Sequence, residues 1–382
     1  MFKSKTKYLD KIKTLNQRSF TIHEGEIEIR NLGRFTTVPQ VALDISLGNV
    51  ESLESAFDHE LDINGKIKIV CKTPLDLALI TEQFGCVKWL VSHGADLNAK
   101  GNPSFLTAIG YGNEEVIRYL AENGADINAT NTFNAEAYEQ TLSYKKFENL
   151  QTIENLGHTV KKYGGSAFRH AVLECQKEAI DFFICHGVDI NYNKSDIVFP
   201  NGETPLCIAA RNADFDMIEY LVTNGADVTI PDKMGMRPYD FALERGDLKM
   251  IEYFKKLDYT ELYNPHGKQL KLKKYKLPNS LIQFLQKQNP YLEFGKNYTI
   301  PYIKFFSLAD TVEMKVGQIE VLRISMETGD YPDLLMVWNP KNQCISYYDY
   351  EHEEFGNIAT FDQFMKYPGE YVENIFSGEY ER

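Results

Sequence analysis

The densest group of residues that could carry out chemistry lies near the end of the chain. It contains four carboxylates and one imidazole, Asp349, Glu351, His352, Glu353 and Glu354. Carboxylates beside an imidazole can bind a metal ion or transfer protons. If the segment is a β-strand, alternate residues face opposite sides, so Asp349, Glu351 and Glu353 share one exposed face. Like charges on one face repel unless water or a basic partner neutralises them, so we interpret the segment as a solvated or partner-binding surface, not a catalytic site.

The other histidines and the cysteines form no catalytic or metal-binding pattern. His93, His158 and His186 recur beside a glycine at nearly the same place in successive segments, which a repeated structure explains better than metal binding. The six cysteines contain no Cys-x-x-Cys pair, so neither a zinc site nor a disulfide framework is expected. The sequence also lacks a phosphate-binding loop and the common hydrolase motifs. We therefore expect no enzyme activity, no catalytic residue, no metal site and no cofactor.

The elements that position the histidines follow an internal repeat. Four segments end in Gly-Ala-Asp or Gly-Val-Asp and an earlier one is related; their aspartates are Asp62, Asp96, Asp126, Asp189 and Asp227. The spacings are 34, 30, 63 and 38 residues, and a worn copy at residues 154–159 divides the longest into 33 and 30. A second recurring feature is a threonine or serine that lies 23 residues before one of these aspartates. It occurs at Thr73, Ser166 and Thr204, and both threonines are followed by Pro-Leu.

These two markers in one register resemble the ankyrin repeat, whose period is about 33 residues. Thr-Pro begins a helix because Thr caps free amides and Pro occupies a position that needs no amide hydrogen bond. The resemblance implies an all-α solenoid of stacked helix pairs over residues 37–256. We place seven units near Val38, Thr73, Ser104, Glu136, Ser166, Thr204 and Arg237. The fourth lacks Thr-Pro and is degenerate, and Gly164-Gly165 is interpreted as a flexible junction before the fifth.

Ankyrin stacks generally bind other proteins with their turn tips and inner helices, so the resemblance implies a protein partner. The longest tip, residues 192–201, carries Tyr192 and Phe199 among polar residues. Two alternatives stay open for this tip. Either both aromatic rings contact a partner, or Phe199 packs back onto its own repeat.

From residue 277 onward the sequence predicts a different kind of domain. Apolar spacing predicts a helix at 277–285 and strands at 319–325, 334–338 and 344–350, with a turn at 339–342. A closing helix begins at Thr360, where Gln363 completes a capping box. This order predicts a small α+β domain over residues 277–382, which follows a basic, solvated linker at 257–276 and makes the fold class multidomain.

The order of elements in this domain resembles the SUKH superfamily, which occurs in many bacterial toxin-immunity proteins. The matching segments are Leu277-Pro278, Gly329-Asp330-Tyr331, residues 347–353 and residues 361–365. The sequence departs from the family pattern at Asn289-Pro290 and at Tyr348, where Asn-Gly-Gly and Trp are frequent. The resulting candidate partner-binding residues are Asp330, Tyr331, Asp349, Tyr350, Glu351 and Glu353.

The charge is distributed unevenly along the chain. The net charge of −13 divides into +4 for an N-terminal arm at residues 1–36, −14 for 37–254, +5 for 255–276 and −8 for 277–382. Acidic domains argue against a nucleic-acid partner and favour a basic protein partner. No apolar run reaches the ~18 residues of a membrane helix, and no secretory signal begins the sequence, so we expect a cytoplasmic protein with reduced thiols.

These observations predict a bacterial immunity protein that binds and neutralises a basic toxin domain, such as a nuclease, by covering it. The alternative is a general cytosolic ankyrin-repeat scaffold with no toxin partner. The sequence indicates neither the identity of the toxin nor the oligomeric state.

Overall fold

The structure, a computed structural model, describes residues 20–23, 26–29, 31–36, 38–57, 62–257 and 271–377. The chain divides into two compact units, Met1–Asp189 and Ile190–Arg382. Most of the predicted N-terminal arm and of the predicted basic linker lies outside the described residues. In the part of the chain that is described, no helix is both long enough and apolar enough to cross a lipid bilayer.

The first unit contains, among its described residues, a three-stranded antiparallel sheet and five helix pairs. The strands are β1 (Phe20–His23), β2 (Glu26–Ile29) and β3 (Gly33–Phe35). The helices are α1 (Gln40–Ser46), α2 (Val50–Phe57), α3 (Pro74–Ile80), α4 (Phe84–Ser92), α5 (Ser104–Tyr111), α6 (Glu114–Glu122), α7 (Ala137–Tyr144), α8 (Leu150–Asn155), α9 (Val160–Leu173) and α10 (Lys177–Cys185).

The second unit continues with two helix pairs and then an α+β region. Its helices are α11 (Pro205–Arg211), α12 (Phe215–Thr223), α13 (Pro238–Arg245), α14 (Leu248–Leu257), α15 (Asn279–Leu285), α16 (Phe361–Phe364) and α17 (Pro368–Phe376). Its strands are β4 (Tyr291–Glu293), β5 (Tyr302–Phe305), β6 (Val312–Val316), β7 (Ile319–Arg323), β8 (Ser325–Glu327), β9 (Leu334–Asn339), β10 (Cys344–Asp349) and β11 (Glu354–Ala359). Helical repeats followed by an α+β region confirm the predicted fold class.

Side-chain caps explain where several of these helices begin. Thr73 and Thr204 each accept a hydrogen bond from the amide three residues later, at 3.1 Å in both cases, and each precedes a proline. The predicted capping box at Thr360 is also confirmed, because Thr360 and Gln363 exchange side-chain to backbone hydrogen bonds. These caps satisfy amides that have no partner within the helix.

We expect removal of the Thr204 cap to destabilise the second unit measurably. Replacing Thr204 by valine keeps the side-chain volume but leaves the buried Cys207 amide without its acceptor. The free energy of unfolding should fall by about 1–2 kcal/mol, as measured by urea denaturation. Thr204→Ser keeps the hydroxyl and should lose less; an equal loss in both variants would contradict the capping role.

The fourth and fifth helix pairs differ from the sequence-based expectation. In place of Thr-Pro, Glu136 begins α7 with a reciprocal capping box to Glu139. The predicted start of the fifth unit at Ser166 was wrong, because α9 begins at Val160 and contains both Gly164 and Gly165. These glycines are buried within a helix and do not form a flexible junction. A Cβ atom at Gly164 would lie 2.9 Å from Cγ1 of Val160 in the same helix and 3.4 Å from the Phe183 ring on α10, so the tightest constraint on a larger residue comes from within α9.

The C-terminal strands form two antiparallel sheets. The five-stranded sheet has the order β11-β10-β9-β7-β6, and the three-stranded sheet has the order β4-β5-β8. The predicted hairpin is confirmed by the pairing of β9 with β10, from Cys344 opposite Asn339 to Asp349 opposite Leu334. The sequence did not predict the three-stranded sheet or strands β6 and β11.

The five-stranded sheet is covered on both faces. All six residues of β9 are buried, and they alternate between two apolar cores. Leu334, Met336 and Trp338 pack with residues of α15, α16 and α17, whereas Leu335 and Val337 belong to a second core. Burial on both faces explains why β9 reads as a continuous apolar run instead of an alternating one.

The second core is completed by residues 229–237, the turn between α12 and α13, which we call the last finger. Met234 and Met236 of the finger pack with Val321, Leu335 and Val337 of the sheet. Gly235 has φ +77°, and a Cβ atom there would lie only 2.3 Å from the carbonyl oxygen of Glu313 on the edge strand β6. The finger therefore covers both the second face and one edge of the sheet.

The end of the predicted linker is part of the C-terminal core. A 3-10 turn, Leu272–Tyr275, buries both of its terminal side chains. The indole of Trp338 donates a 2.8 Å hydrogen bond to the carbonyl of Tyr275, and Lys274 pairs with Glu313 at 2.7 Å. The interpretation of a fully solvated linker was therefore wrong for these residues, because two apolar side chains among the lysines anchor the segment.

Candidate functional site

Two loops bring most of the predicted partner-binding residues together at one end of the five-stranded sheet. Residues 328–333 lead into β9, and residues 350–353 follow β10. Because Asp349 pairs with Leu334, the start of β9 and the end of β10 lie side by side. The amide of Tyr350 donates a 3.1 Å hydrogen bond to the carbonyl of Asp333. We call residues 329–333 and 349–354 the acidic end.

The prediction that Asp349, Glu351 and Glu353 share one face of a strand was wrong. Strand β10 ends at Asp349, and residues 350–353 form the turn of a hairpin. Oδ1 of Asp349 accepts the amides of Glu351 and His352, at 3.1 and 3.2 Å, while Glu353 adopts a left-handed φ of 55°. The acids are thus grouped by a turn that Asp349 stabilises, a common role of aspartate.

The acidic end carries a concentrated negative charge. Its six carboxylates are Asp330, Asp333, Asp349, Glu351, Glu353 and Glu354. Among the described residues, no lysine or arginine nitrogen lies within 4.0 Å of them. The one cationic candidate is the exposed His352, whose Nδ1 lies 2.9 Å from Asp349 Oδ2; this hydrogen bond raises the pKa of His352. The site can therefore attract a positively charged group.

Two tyrosines at this end are held in place by neighbouring residues. Burial raises the pKa of Tyr350, and the hydrogen bond from its hydroxyl to the Asp333 carboxylate adds to the effect. The ring of Tyr331 lies 5.0 Å from the ring of Phe376 and stays 40% exposed. Ordered side chains lose less conformational entropy when a partner binds.

The long tip at residues 192–201 does not present the aromatic ring that the sequence suggested. Phe199 is only 1% exposed, so the alternative in which it packs back is the one observed. Its amide donates a 2.7 Å hydrogen bond to Oδ1 of Asp196. Between these two residues, Ile197 and Val198 are 78% and 51% exposed. The sequence did not single out these two residues as contact residues. The signal for them is their position between a buried aromatic residue and an aspartate that forms the turn.

Tyr192 is half-buried at the start of this tip. It belongs to the tip and not to the acidic end. Within the described residues, no group of three His, Cys, Asp or Glu side chains is placed to hold a metal ion. The geometry thus offers charged and apolar contact surfaces.

Comparison with known proteins identifies the helix pairs. A sequence model of the family described as "Ankyrin repeats" matches residues 42–131 and 168–262. The chain is 26% identical over 235 residues to an ankyrin repeat protein of Rickettsia felis, a match covering 61% of this chain and 50% of that protein. It is also 26% identical over 197 residues to the human "Transient receptor potential cation channel subfamily A member 1", covering 49% and 18% of the two chains.

Among solved structures, the ankyrin repeat domain of Bcl-3 matches with a TM-score of 0.43 and 22% identity, over 50% of this chain and 88% of that one. The chain spans half or less of the length of the two relatives described above. The family match falls on the helix pairs of both units. Residues from about 40 to 257 are therefore ankyrin repeats, and the chain is an ankyrin-repeat protein with a C-terminal α+β region.

Proposed function

We propose that this chain is an immunity protein, which binds a toxin with a basic surface and neutralises it by covering that surface. Ankyrin repeats serve protein–protein interaction, and the SUKH resemblance of the C-terminal region connects that role with toxin immunity. The observation that carries the proposal is the acidic end, where six carboxylates have no lysine or arginine partner among the described residues. In this proposal the chain is a binding protein and not an enzyme.

The charge of the acidic end would act mainly on the rate and specificity of association. A cluster of like charges steers an oppositely charged partner and raises its association rate, an effect that added salt screens. Repulsion among the carboxylates falls when a basic partner binds, so the partner is favoured over neutral proteins. Binding there needs little rearrangement, because Asp349 and Asp333 already hold the hairpin turn and Tyr350 in place.

A second candidate function is a general scaffold without a toxin partner. The exposed Ile197 and Val198 favour it, because two aliphatic side chains at a turn tip suit an apolar pocket and need no basic partner. The two functions differ in the surface they depend on. The immunity protein requires the acidic end, whereas the scaffold requires the tip.

We expect reversal of charge at the acidic end to weaken toxin binding. The triple variant Glu351→Lys, Glu353→Lys, Glu354→Lys should raise the dissociation constant for a toxin encoded beside the gene about ten- to a hundredfold, since each lost charge pair contributes about 0.5–1 kcal/mol. Surface plasmon resonance would measure the constant, and co-expression would measure protection of cells.

The matched control reverses three exposed acidic residues elsewhere in the same unit, Asp216→Lys and Glu219→Lys on α12 and Glu252→Lys on α14. This control changes net charge but leaves the acidic end intact, so it should retain most of the affinity. Equal weakening in both variants would show that only net charge matters. If no toxin encoded beside the gene is bound or neutralised, the immunity function fails. Loss of partner binding in an Ile197→Asp variant would then favour the scaffold.

A further inference from the structure

Three carboxyl groups are buried around the last finger, and one of them lacks the ion pair that each of the other two forms among the described residues. Glu203 pairs with Arg211 at 2.6 Å, and Asp240 pairs with Arg237 at 3.3 Å. Asp232, only 8% exposed, forms no ion pair among the described residues. Burying an unpaired carboxylate is unfavourable, whereas a protonated carboxyl group is tolerated.

Asp232 also determines the shape of the finger. Its Oδ1 accepts the amides of Met234 and Met236, both at 2.8 Å. The side chains of these two methionines fill the second core against the C-terminal sheet. The carboxyl group therefore lies directly behind the residues that join the last ankyrin repeat to the sheet.

The groups that face Asp232 come from two other elements. Glu203 and the buried thiol of Cys207 lie at the start of α11, and Arg323 lies on β7. The Arg323 charge is already engaged by Glu244 of α13, at 3.0 Å. Burial is the main cause that raises the pKa of Asp232 from 3.8 to about 7, and the Glu203 charge adds to it. The two amide hydrogen bonds and Arg323 act in the opposite direction.

We propose that Asp232 is a proton-operated latch: its protonated carboxyl group holds the last finger against the C-terminal sheet, and its ionisation loosens the finger. The stabilisation is complete below the ordinary pKa of 3.8, where the carboxyl group is protonated whether the finger is docked or open. It declines as pH rises above 3.8 and is lost once pH passes about 7, where the docked form also loses its proton. Ionisation leaves a buried carboxylate beside Glu203.

Hydrogen exchange at the amides of Met234 and Met236 in the full chain tests this latch. After correction for the intrinsic exchange rates, the protection factors should fall by about 100-fold between pH 5 and pH 8. Asp232→Asn keeps the Oδ1 acceptor but cannot ionise, so its protection should change by less than a few fold over the same range. At pH 8 the variant should be better protected than the unaltered chain.

The matched control is Asp227→Asn. Asp227 makes the same kind of turn, with its Oδ1 accepting the Thr229 amide at 2.8 Å, but it is exposed. This variant should keep the full pH dependence. A carboxyl ¹³C titration of the unaltered chain gives an independent readout, because it does not depend on any variant folding. A midpoint for Asp232 near 7 supports the latch, whereas a midpoint near 4, or identical pH dependence in Asp232→Asn, would overturn it.

Discussion

Replacing Glu244 by leucine is expected to lower the free energy of unfolding of the second unit by about 2–4 kcal/mol. The reason lies in its partner. The Arg323 side chain is 8% exposed and lies 3.0 Å from Glu244, and arginine cannot lose its proton to relieve an unpaired charge. Its Nε and Nη2 also donate to the carbonyls of Ser325 and Met326, so the guanidinium cannot move into solvent without breaking those bonds. Urea unfolding monitored by tryptophan fluorescence in a Trp89→Phe background, in which only Trp338 emits, would measure the loss.

A second substitution separates charge burial from lost packing. The double variant Glu244→Leu, Arg323→Met removes both charges and places a thioether beside Met236 and Phe306 in the apolar second core. Replacing a buried ion pair by apolar groups is often neutral or stabilising, so this variant should recover more than half of the loss. If the double variant is less stable than Glu244→Leu alone, hydrogen bonding by Arg323 outweighs its unpaired charge and the explanation is wrong.

Acidification is expected to destabilise the first unit through His158. This side chain is 0% exposed, its ring stacks on Tyr163 at 4.1 Å, and its Nδ1 lies 2.9 Å from Oδ1 of Asn128. Nδ1 therefore carries the proton of the neutral ring, and Nε2 forms no hydrogen bond, although Oε2 of Glu136 lies 3.7 Å from it. Burial lowers the pKa of His158 from 6.5 to about 4, because a charged ring would lose its hydration.

The sign of the effect follows from this lowered pKa. Above pH 6.5 the ring is neutral in both states and the stabilisation is complete; as pH falls toward 4, the unfolded chain takes up a proton that the folded chain excludes. Between pH 7 and 4.5 the resulting loss is about 2–3 kcal/mol. Urea unfolding at the two pH values would measure the loss of stability. Hydrogen exchange of peptides within residues 150–173, at the same two pH values, would locate it.

His158→Phe should remove this loss, because phenylalanine preserves the stacking on Tyr163 and cannot be protonated. The exposed Asn128 can bind water in place of the imidazole. His93→Phe is the matched control, since His93 also stacks on an aromatic ring, at 3.9 Å from Trp89, but is exposed. Equal acid sensitivity in His158→Phe and in the unaltered chain would exclude His158 as the cause.

The repeated part of the fold could be predicted from the sequence because its determinants are local. Thr204 and the proline after it lie within one helical turn of the amide that they affect, and the same holds for Thr360 and Gln363. The acidic end was found as a charge cluster, but its geometry was not. A single aspartate, Asp349, ends the strand and folds the following residues into a turn, and strand alternation gives no sign of that.

The covering of the second sheet face could not be predicted because its partners are distant in sequence. Leu334 to Trp338 read as a strand, yet the residues that pack on Leu335 and Val337 include Met234 and Met236, about a hundred positions earlier. The ion pair that accompanies them joins residues 79 positions apart. Periodicity reports which faces of an element are apolar, but it does not report which distant segment covers each face.

The glycine in the last finger has a consequence for how this chain could have been assembled from parts. Gly235 allows the finger to lie against β6, an edge strand whose unpaired backbone would otherwise invite pairing with other chains. Removing the finger would expose an apolar face and a free edge together, so we expect a C-terminal region produced without it to aggregate. For the same reason, we expect a transfer of this region to another protein to succeed only when the final ankyrin repeat is transferred with it.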